Sequence, residues 1–262
     1  MNKNRIRLAV LAALMFGLCC AASAADDPQV KAMCFAAERN DVAEVRRLIA
    51  EGVDVNAKRN YDGATALMYA AENNSVDVAK VLIAAGADVN DKDRYGRTAL
   101  IYAAEKNYVD MARLLIDAGL DVSKGGGVTA LLSAAEHNYV DMAKLLIEAG
   151  ADVNFSRGGE TALIYAARKN YVDLARLLIE AGADVNVKGK LNYTALITAT
   201  WNNSVDVAKL LIEAGADVNA VNANGNTALY YVRRNKSSPD LEKLLEAAGA
   251  LYEVPNASDY MP

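Results

Sequence analysis

Histidine, cysteine, tryptophan and proline are scarce in this chain of 262 residues. It has one histidine, three cysteines, one tryptophan and four prolines. Two of the cysteines, Cys19 and Cys20, lie in an N-terminal segment that we expect to be removed. Cys34 and His137 then remain, too few ligands for a zinc site built from cysteine and histidine. Abundant alanine and the shortage of proline favour a soluble, helical protein.

A long apolar run is also missing, even at the N-terminus. The run from Leu8 to Leu18 is shorter than the roughly 20 residues that a membrane-spanning helix needs. Three cations precede this run, and the small residues Ala22-Ser23-Ala24 follow it. This order predicts a signal peptide over residues 1–24, cleaved after Ala24, and therefore a protein exported to the periplasm or secreted. A membrane anchor and a lipoprotein signal at Cys19 or Cys20 fit the pattern less well.

Removal of residues 1–24 makes the chain more acidic. Lys3, Arg5 and Arg7 leave with the segment, so the formal net charge changes from −5 to −8. An acidic chain is a poor match for nucleic acid or an anionic membrane surface. Cys34 becomes the only cysteine, which excludes an internal disulfide. Because Cys34 stands beside Phe35 in an apolar helix, we expect a buried, unreactive thiol.

Near-copies of one heptapeptide recur along most of the chain, TALIYAA at Thr98 being an example. The copies are separated by 33, 31, 32, 33 and 33 residues, and they begin at Thr65, Thr98, Thr129, Thr161, Thr194 and Thr227. The first glycine of a G-A-D-V-N tract, or of a variant of that tract, recurs with the same period, at Gly52, Gly86, Gly119, Gly150, Gly182, Gly215 and Gly249. Such a period predicts an all-α solenoid of stacked helix-turn-helix repeats joined by hairpins.

The pattern predicts the same elements in each repeat. The threonine caps a first helix, and an asparagine ends that helix in the left-handed conformation, at Asn40, Asn74, Asn107, Asn138, Asn170, Asn203 and Asn235. A second helix follows and ends at the glycine. The linker to the next repeat, here called the finger, carries turn residues two positions before the threonine, at Gly63, Gly96, Gly127, Gly159, Asn192 and Gly225. The finger around residues 124–127 should be shorter than the others.

The predicted boundaries follow from these landmarks. Residues 25–250 form one repeat domain, and residues 251–262 form a tail that we expect to be loosely ordered. The opening repeat lacks the threonine start, as expected of a capping repeat with one face in water. The seven repeats cover residues 26–60, 61–93, 94–124, 125–156, 157–189, 190–222 and 223–250.

These motifs closely resemble the ankyrin-repeat family over about Asp26 to Ala250. The family's T-P-L-H-x-A-A corresponds to T-A-L-x-Y-A-A here, asparagine stands for its helix-ending glycine, and G-A-D-V-N is retained. Tyrosine replaces the family's histidine in four repeats, at Tyr69, Tyr102, Tyr165 and Tyr231. We assign these tyrosines mainly to packing between repeats. The resemblance implies binding of a protein partner.

No constellation in the sequence indicates catalysis, a metal or a cofactor. His137 and Cys34 are 103 positions apart in an array whose repeats contact only their neighbours, so a Cys–His pair is excluded. The repeated aspartates could be imagined as calcium ligands, but they sit where turn side chains bond their own backbone. We therefore expect a structural role for Asp88, Asp121, Asp152, Asp184 and Asp217. Residues 125–127 lack the Lys-Ser/Thr of a phosphate loop.

The resemblance implies that partners contact the fingers and the exposed surface of the first helices, which in the family form a concave face. Those positions are rich in arginine, lysine and aromatic residues, and arginine, tyrosine and tryptophan dominate interface energies. The predicted partner-binding residues are Tyr61, Arg94, Tyr95, Arg97, Glu105, Lys106, Glu136, His137, Arg157, Glu160, Arg168, Lys169, Lys190, Tyr193, Trp201 and Arg234. Trp201 could equally be an anchor or an incidental surface residue. Tyr108, Tyr139 and Tyr171 could pack between repeats or form a binding stripe.

The sequence therefore predicts a non-enzymatic protein-binding module, exported to the periplasm and monomeric when unbound. It binds one protein partner and neither nucleic acid nor, after signal cleavage, the membrane. Two alternatives stay open: an immunity or inhibitor protein that occludes a toxin or hydrolase, and a protective partner of an exported enzyme such as a catalase, a role implied by resemblance to some bacterial proteins.

Overall fold

The described chain is entirely helical apart from its turns. The computed structural model describes residues 27–123, 126–236 and 238–252; the predicted signal peptide lies outside them. Fourteen α-helices and the 3-10 turn Lys190–Asn192 occur in these ranges, and none of the helices combines the length and apolar character needed to cross a bilayer. The helices are α1 Pro28–Glu38, α2 Val42–Ala50, α3 Ala66–Glu72, α4 Val76–Ala84, α5 Ala99–Glu105, α6 Val109–Asp117, α7 Gly126–Glu136, α8 Val140–Glu148, α9 Ala162–Lys169, α10 Val172–Glu180, α11 Ala195–Trp201, α12 Val205–Glu213, α13 Ala228–Arg234 and α14 Pro239–Ala247.

The helices form the predicted all-α repeat solenoid, divided into two compact units. The N-terminal unit ends at Asp121, and the C-terminal unit begins at Val122. In the N-terminal unit, α3 packs between α1 and α5; in the C-terminal unit, α9 packs between α7 and α11, and α11 contacts α13. Paired alanines such as Ala70-Ala71 and Ala166-Ala167 are fully buried. Their small side chains let neighbouring first helices approach closely.

The helix terminators match the prediction with one exception. The seven glycines of the G-A-D-V-N landmark have positive φ, between 83° and 93°, as do six of the seven asparagines, with φ between 54° and 59°. Asn235 was predicted wrongly. Its φ is −81°, and the next residue, Lys236, adopts the left-handed conformation with a φ of 49°.

The predicted threonine caps are confirmed in only half of the six repeats. The hydroxyls of Thr161, Thr194 and Thr227 accept a hydrogen bond from the backbone N–H three residues later. Thr65 and Thr98 make no such bond. The Thr98 hydroxyl is buried and has no hydrogen-bond partner among the described residues, so this position contributes an unsatisfied polar group to the core.

We expect substitution by valine to change stability differently at two equivalent positions, Thr98 and Thr161. Thr98→Val removes the unpaired hydroxyl while keeping the shape of the side chain, so stability should be unchanged or slightly higher. Thr161→Val, the matched control, removes a cap and should destabilise by about 1 kcal/mol. Urea unfolding followed by circular dichroism measures both values. Equal losses in the two variants would contradict the assignment of the caps.

The fourth repeat departs from the predicted pattern. Its first helix, α7, already begins at Gly126, so Thr129 lies inside the helix rather than at its N-cap. Gly127 is likewise helical and is not a turn residue, contrary to the prediction. Thr98 and Thr129 are 31 residues apart, the shortest spacing of the array. With fewer residues for a finger, the chain enters its helix directly.

The G-A-D-V-N tracts form a ladder of hydrogen bonds between successive repeats. Asp184 accepts from the backbone N–H of Asn186 at 2.8 Å, and the amide oxygen of Asn154 in the preceding repeat accepts from the backbone N–H of Asp184 at 2.7 Å. The same internal aspartate bond recurs at Asp88, Asp152 and Asp217. These bonds confirm the predicted structural role for four of the five turn aspartates, Asp88, Asp152, Asp184 and Asp217.

Two regions near the ends of the domain show how its outer repeats are closed. Cys34 is buried in α1 as predicted, and burial raises the pKa of its thiol to about 12.

Leu251 and Tyr252, predicted to begin a loose tail, are instead tied to the last repeat. Their carbonyl oxygens accept from the Thr227 hydroxyl at 3.0 and 3.2 Å, and the N–H of Leu251 donates to Asn219 at 2.7 Å. The rest of the tail lies outside the described residues.

Candidate functional site

A pocket of about 400 Å³ opens between two fingers of the C-terminal unit, and we call it the aromatic-basic pocket. Its volume lies within the range of ligand and side-chain pockets. Five predicted binding residues line it: Glu160, Arg168, Lys190, Tyr193 and Trp201. The remaining lining residues are Gly159, Ile164, Leu191, Thr198 and Asn202.

Glycine lets the two fingers that frame the pocket approach each other. Gly158 and Gly159, with φ of 62° and 86°, form the turn between Arg157 and Glu160, whose backbones exchange two hydrogen bonds of 3.1 Å. A Cβ atom at Gly189 in the next finger would lie 2.5 Å from the carbonyl oxygen of Gly159. Only glycine fits there without a shift of the backbone, so this contact fixes the spacing of the pocket walls.

One wall of the pocket is basic. Arg168 at the end of α9 binds Glu160 through an ion pair of 2.6 Å, and its guanidinium lies 5.4 Å from the centre of the Tyr165 ring. Lys190 is exposed and forms no ion pair with any described residue. Burial and the nearby carboxylates Glu136 and Glu160 raise the pKa of Tyr165. The wall therefore holds two cations and a single carboxylate, which is already paired.

The opposite wall is aromatic. The Trp201 ring is 5.0 Å from that of Tyr193 and 6.1 Å from that of Tyr231, measured between centroids, yet 54% of Trp201 remains exposed. The Tyr193 and Tyr231 hydroxyls are 2.9 Å apart, and the amides of Asn222 and Asn226 donate to Tyr231. The cluster explains how a large, exposed indole is held in one place.

The two hydroxyls of this cluster differ in acidity. Burial raises the pKa of Tyr193 to about 12, and its hydrogen bond to Tyr231 acts in the same direction. Burial also acts to raise the pKa of Tyr231, but the hydrogen bonds from Tyr193, Asn226 and Asn222 outweigh it and lower that pKa. Tyr193 therefore stays protonated well above neutral pH. The hydroxyl pair serves to position the aromatic wall.

A second cavity of about 290 Å³ lies on the other side of Tyr193 and Trp201, and the predicted residue Arg234 lines it. Arg234 donates to the Tyr230 hydroxyl at 3.1 Å. Three further predicted residues of this unit, Glu136, Arg157 and Lys169, are exposed and form no ion pair with described residues. His137 stacks on Tyr139 at 5.4 Å, so this member of the tyrosine ladder packs within its own repeat.

The N-terminal unit carries the other six predicted residues, and one of them, Lys106, lines a cavity of about 330 Å³ together with Glu38, Tyr69, Glu72, Asn73 and Tyr108. Tyr61 and Tyr95 are 83% and 74% exposed at their finger tips. Arg94 donates to the carbonyl oxygen of Tyr61 at 3.2 Å. Arg97, predicted as a partner contact, donates to Asp93 and to the Tyr102 hydroxyl. Glu105 is half-buried and Lys106 exposed.

Tyrosine in the T-A-L-x-Y motif also has a role beyond the predicted packing. The Tyr69 hydroxyl donates to Asp62 at 2.5 Å, and the Tyr102 hydroxyl donates to Asp93 at 2.8 Å. Both bonds connect a first helix to the finger that precedes it. Tyr231 additionally reaches the preceding repeat through Tyr193. These tyrosines therefore fix finger positions.

Sequence reasoning missed five lining residues of the aromatic-basic pocket. Ile164 is buried in a first helix and carried no distinguishing signal, whereas Thr198, also buried, carried one, because it stands where four other repeats have tyrosine. Leu191 also carried one, because it is an apolar residue in an otherwise polar finger. It is 61% exposed and has a φ of 54°. Among the described residues, no group of three or more His, Cys, Asp or Glu side chains is arranged to hold a metal ion.

Comparisons with known proteins identify the repeat. Models described as ankyrin repeats match residues 10–93, 33–125 and 120–189, and a second ankyrin-repeat model matches residues 178–232. No curated protein matches the chain. The ankyrin repeat domain of human ASB11 is 26% identical, with a TM-score of 0.69, over 86% of this chain and 99% of that one.

Two further solved structures are similar. An ankyrin repeat domain from Acinetobacter baumannii AYE is 33% identical, with a TM-score of 0.66, over 71% of this chain and 98% of that one. The ankyrin repeat domain of Bcl-3, described as a member of the IkappaB protein family, is 27% identical with a TM-score of 0.73. That match covers 82% of this chain and 97% of the Bcl-3 domain.

Proposed function

Because this chain belongs to the ankyrin-repeat family, we propose that it is a non-enzymatic module that binds a protein partner through its fingers and the exposed surface of its first helices. Ankyrin repeats are generally protein–protein interaction modules. Stacked repeats hold the fingers in place before binding, so little conformational entropy is lost when a partner docks.

The aromatic-basic pocket is the observation that carries this proposal. It gathers arginine, tyrosine and tryptophan, the residue types that contribute most to binding energy in protein interfaces. Trp201 is fixed by two tyrosines but remains more than half exposed, as an anchor for a partner should be. Predicted residues from three consecutive repeats line the aromatic-basic pocket or the cavity next to it.

Affinity capture with charge-reversal variants tests the binding surface. Arg157 is exposed beside the pocket and unpaired among the described residues, so Arg157→Glu should weaken capture of a partner by about tenfold, through lost attraction and new repulsion. Lys243→Glu on α14 makes the same charge change away from the pocket and serves as the control. A partner held equally by both variants would contradict this location for the surface.

We also propose that the protein is exported to the periplasm, on the strength of the sequence pattern over residues 1–24. Expression of the full chain in a Gram-negative host should yield a periplasmic protein whose N-terminus is Ala25, as measured by intact mass. Ala24→Phe should block cleavage, because the cleavage site requires small residues. A cytoplasmic product that retains residues 1–24 would contradict export.

A further inference from the structure

We infer that the aromatic-basic pocket receives a bulky apolar side chain carried by an acidic segment of the partner protein. This inference rests on the proposed function and extends it by naming the chemistry of the docking segment. Three features of the pocket carry it: its exposed apolar walls, the strained backbone of Leu191 and its unpaired positive charge.

The apolar walls leave a space that water fills poorly. Trp201 and Leu191 are large apolar residues that remain 54% and 61% exposed, and both line the same cavity as the buried Ile164. Exposed apolar residues scattered singly need no explanation, but grouped around a concavity they mark a binding site. A phenylalanine, leucine or similar side chain would cover all three.

Leu191 occupies a backbone conformation that its side chain disfavours. Its φ is 54° and that of Asn192 is 59°, and the Leu191 carbonyl accepts from the N–H of Ala223 in the next finger at 2.8 Å. Glycine or asparagine adopts this left-handed conformation at lower cost than leucine. Fold stability therefore does not explain leucine here, whereas an apolar contact for a ligand does.

Among the described residues, the unpaired charge of the pocket lining is positive, although the unpaired carboxylate of Glu136 lies outside the lining, near Tyr165. Lys190 in the lining and Arg157 beside it form no ion pair with described residues. Arg168 donates to Glu160, the single carboxylate of the lining, through only one of its guanidinium nitrogens. Carboxylates flanking the apolar side chain would reach these cations. A nucleic acid, the other polymer that stacks on aromatic rings, carries a charge at every nucleotide, whereas the lining offers a single cation without an ion pair among the described residues, Lys190.

The pocket contains its own reporter, because Trp201 is the only tryptophan of the chain. Short synthetic peptides with a central phenylalanine flanked by aspartates should change its fluorescence saturably. The same peptide with a central alanine, or with lysines in place of the aspartates, should bind at least about tenfold more weakly. A single-stranded oligothymidylate should produce no saturable change.

Variants of the full chain separate binding from folding. Leu191→Asn should leave the thermal midpoint unchanged or raise it, while weakening the acidic phenylalanine peptide by about tenfold. Lys190→Glu should weaken the same peptide, and Lys243→Glu should not. Equal binding of the lysine peptide, stronger binding of the oligonucleotide, unchanged affinity of Leu191→Asn, or no response to any peptide would overturn the inference. The proposed function would still stand if Arg157→Glu reduced partner capture.

Discussion

Replacement of Trp201 by alanine is expected to weaken binding of the protein partner by about 30-fold or more, as for a central interface anchor. The indole forms the wall shared by the two cavities of the C-terminal unit, so its loss removes an apolar contact and lets water into the site. Titration calorimetry with the captured partner measures this change as a ratio of dissociation constants.

The control must separate a lost contact from a disturbed fold. Trp201→Phe keeps an aromatic ring beside Tyr193 and should retain most of the affinity. Phe35→Ala removes another exposed aromatic residue, on α1 of the N-terminal unit, and should leave the affinity unchanged. If Trp201→Ala bound as tightly as the unmodified chain, Trp201 would be an incidental surface residue.

Replacement of Asp93 by alanine is expected to destabilise the N-terminal unit by about 2 to 3 kcal/mol. The Asp93 side chain is fully buried, and its carboxylate accepts four hydrogen bonds, from the backbone N–H groups of Tyr95 and Arg97, the Arg97 side chain and the Tyr102 hydroxyl. Without the carboxylate, the arginine and the tyrosine lose their shared acceptor. Urea unfolding monitored by circular dichroism gives the difference.

This contribution should depend on pH. Burial acts to raise the pKa of Asp93, but the hydrogen bonds from Arg97, Tyr102 and Tyr95 outweigh burial and lower it. Because the folded pKa lies below the unfolded value of about 3.9, the stabilisation is present at neutral pH and is lost as the pH falls through the folded pKa. The stability difference between the unmodified chain and Asp93→Ala should therefore narrow below about pH 4.

The finger before α13 supplies a control for the Asp93 prediction. Asn222 and Asn226 stand there where Asp93 and Arg97 stand in the finger before α5, and Asn222 donates to Tyr231 at 2.9 Å. The single change Asp93→Asn removes the charge that pairs with Arg97 and should destabilise. Adding Arg97→Asn recreates the pair found before α13 and should recover part of the loss. Strictly additive losses in the two variants would contradict a coupled pair.

Where sequence reasoning failed, the cause was competition between local and tertiary preferences. Thr129 is followed by Ala-Leu like the capping threonines, but its shortened finger starts the helix earlier. Arg97 remains a predicted partner contact, but the sequence does not reveal that Asp93 lies close enough to bind it. Leu191 was overlooked although it is an apolar residue in an otherwise polar finger, because only the folded chain shows its exposure and its left-handed backbone.

The sequence by itself determined the repeat, its helices and most of their ends. Asparagine and glycine terminate helices through the steric limits of their own backbones, which act over only a few residues and recur with the period. The tertiary structure alone decided which side chains share the aromatic-basic pocket. Its members come from positions about one repeat apart, and only the close packing of Gly159 against Gly189 and of Trp201 against Tyr193 and Tyr231 brings them together.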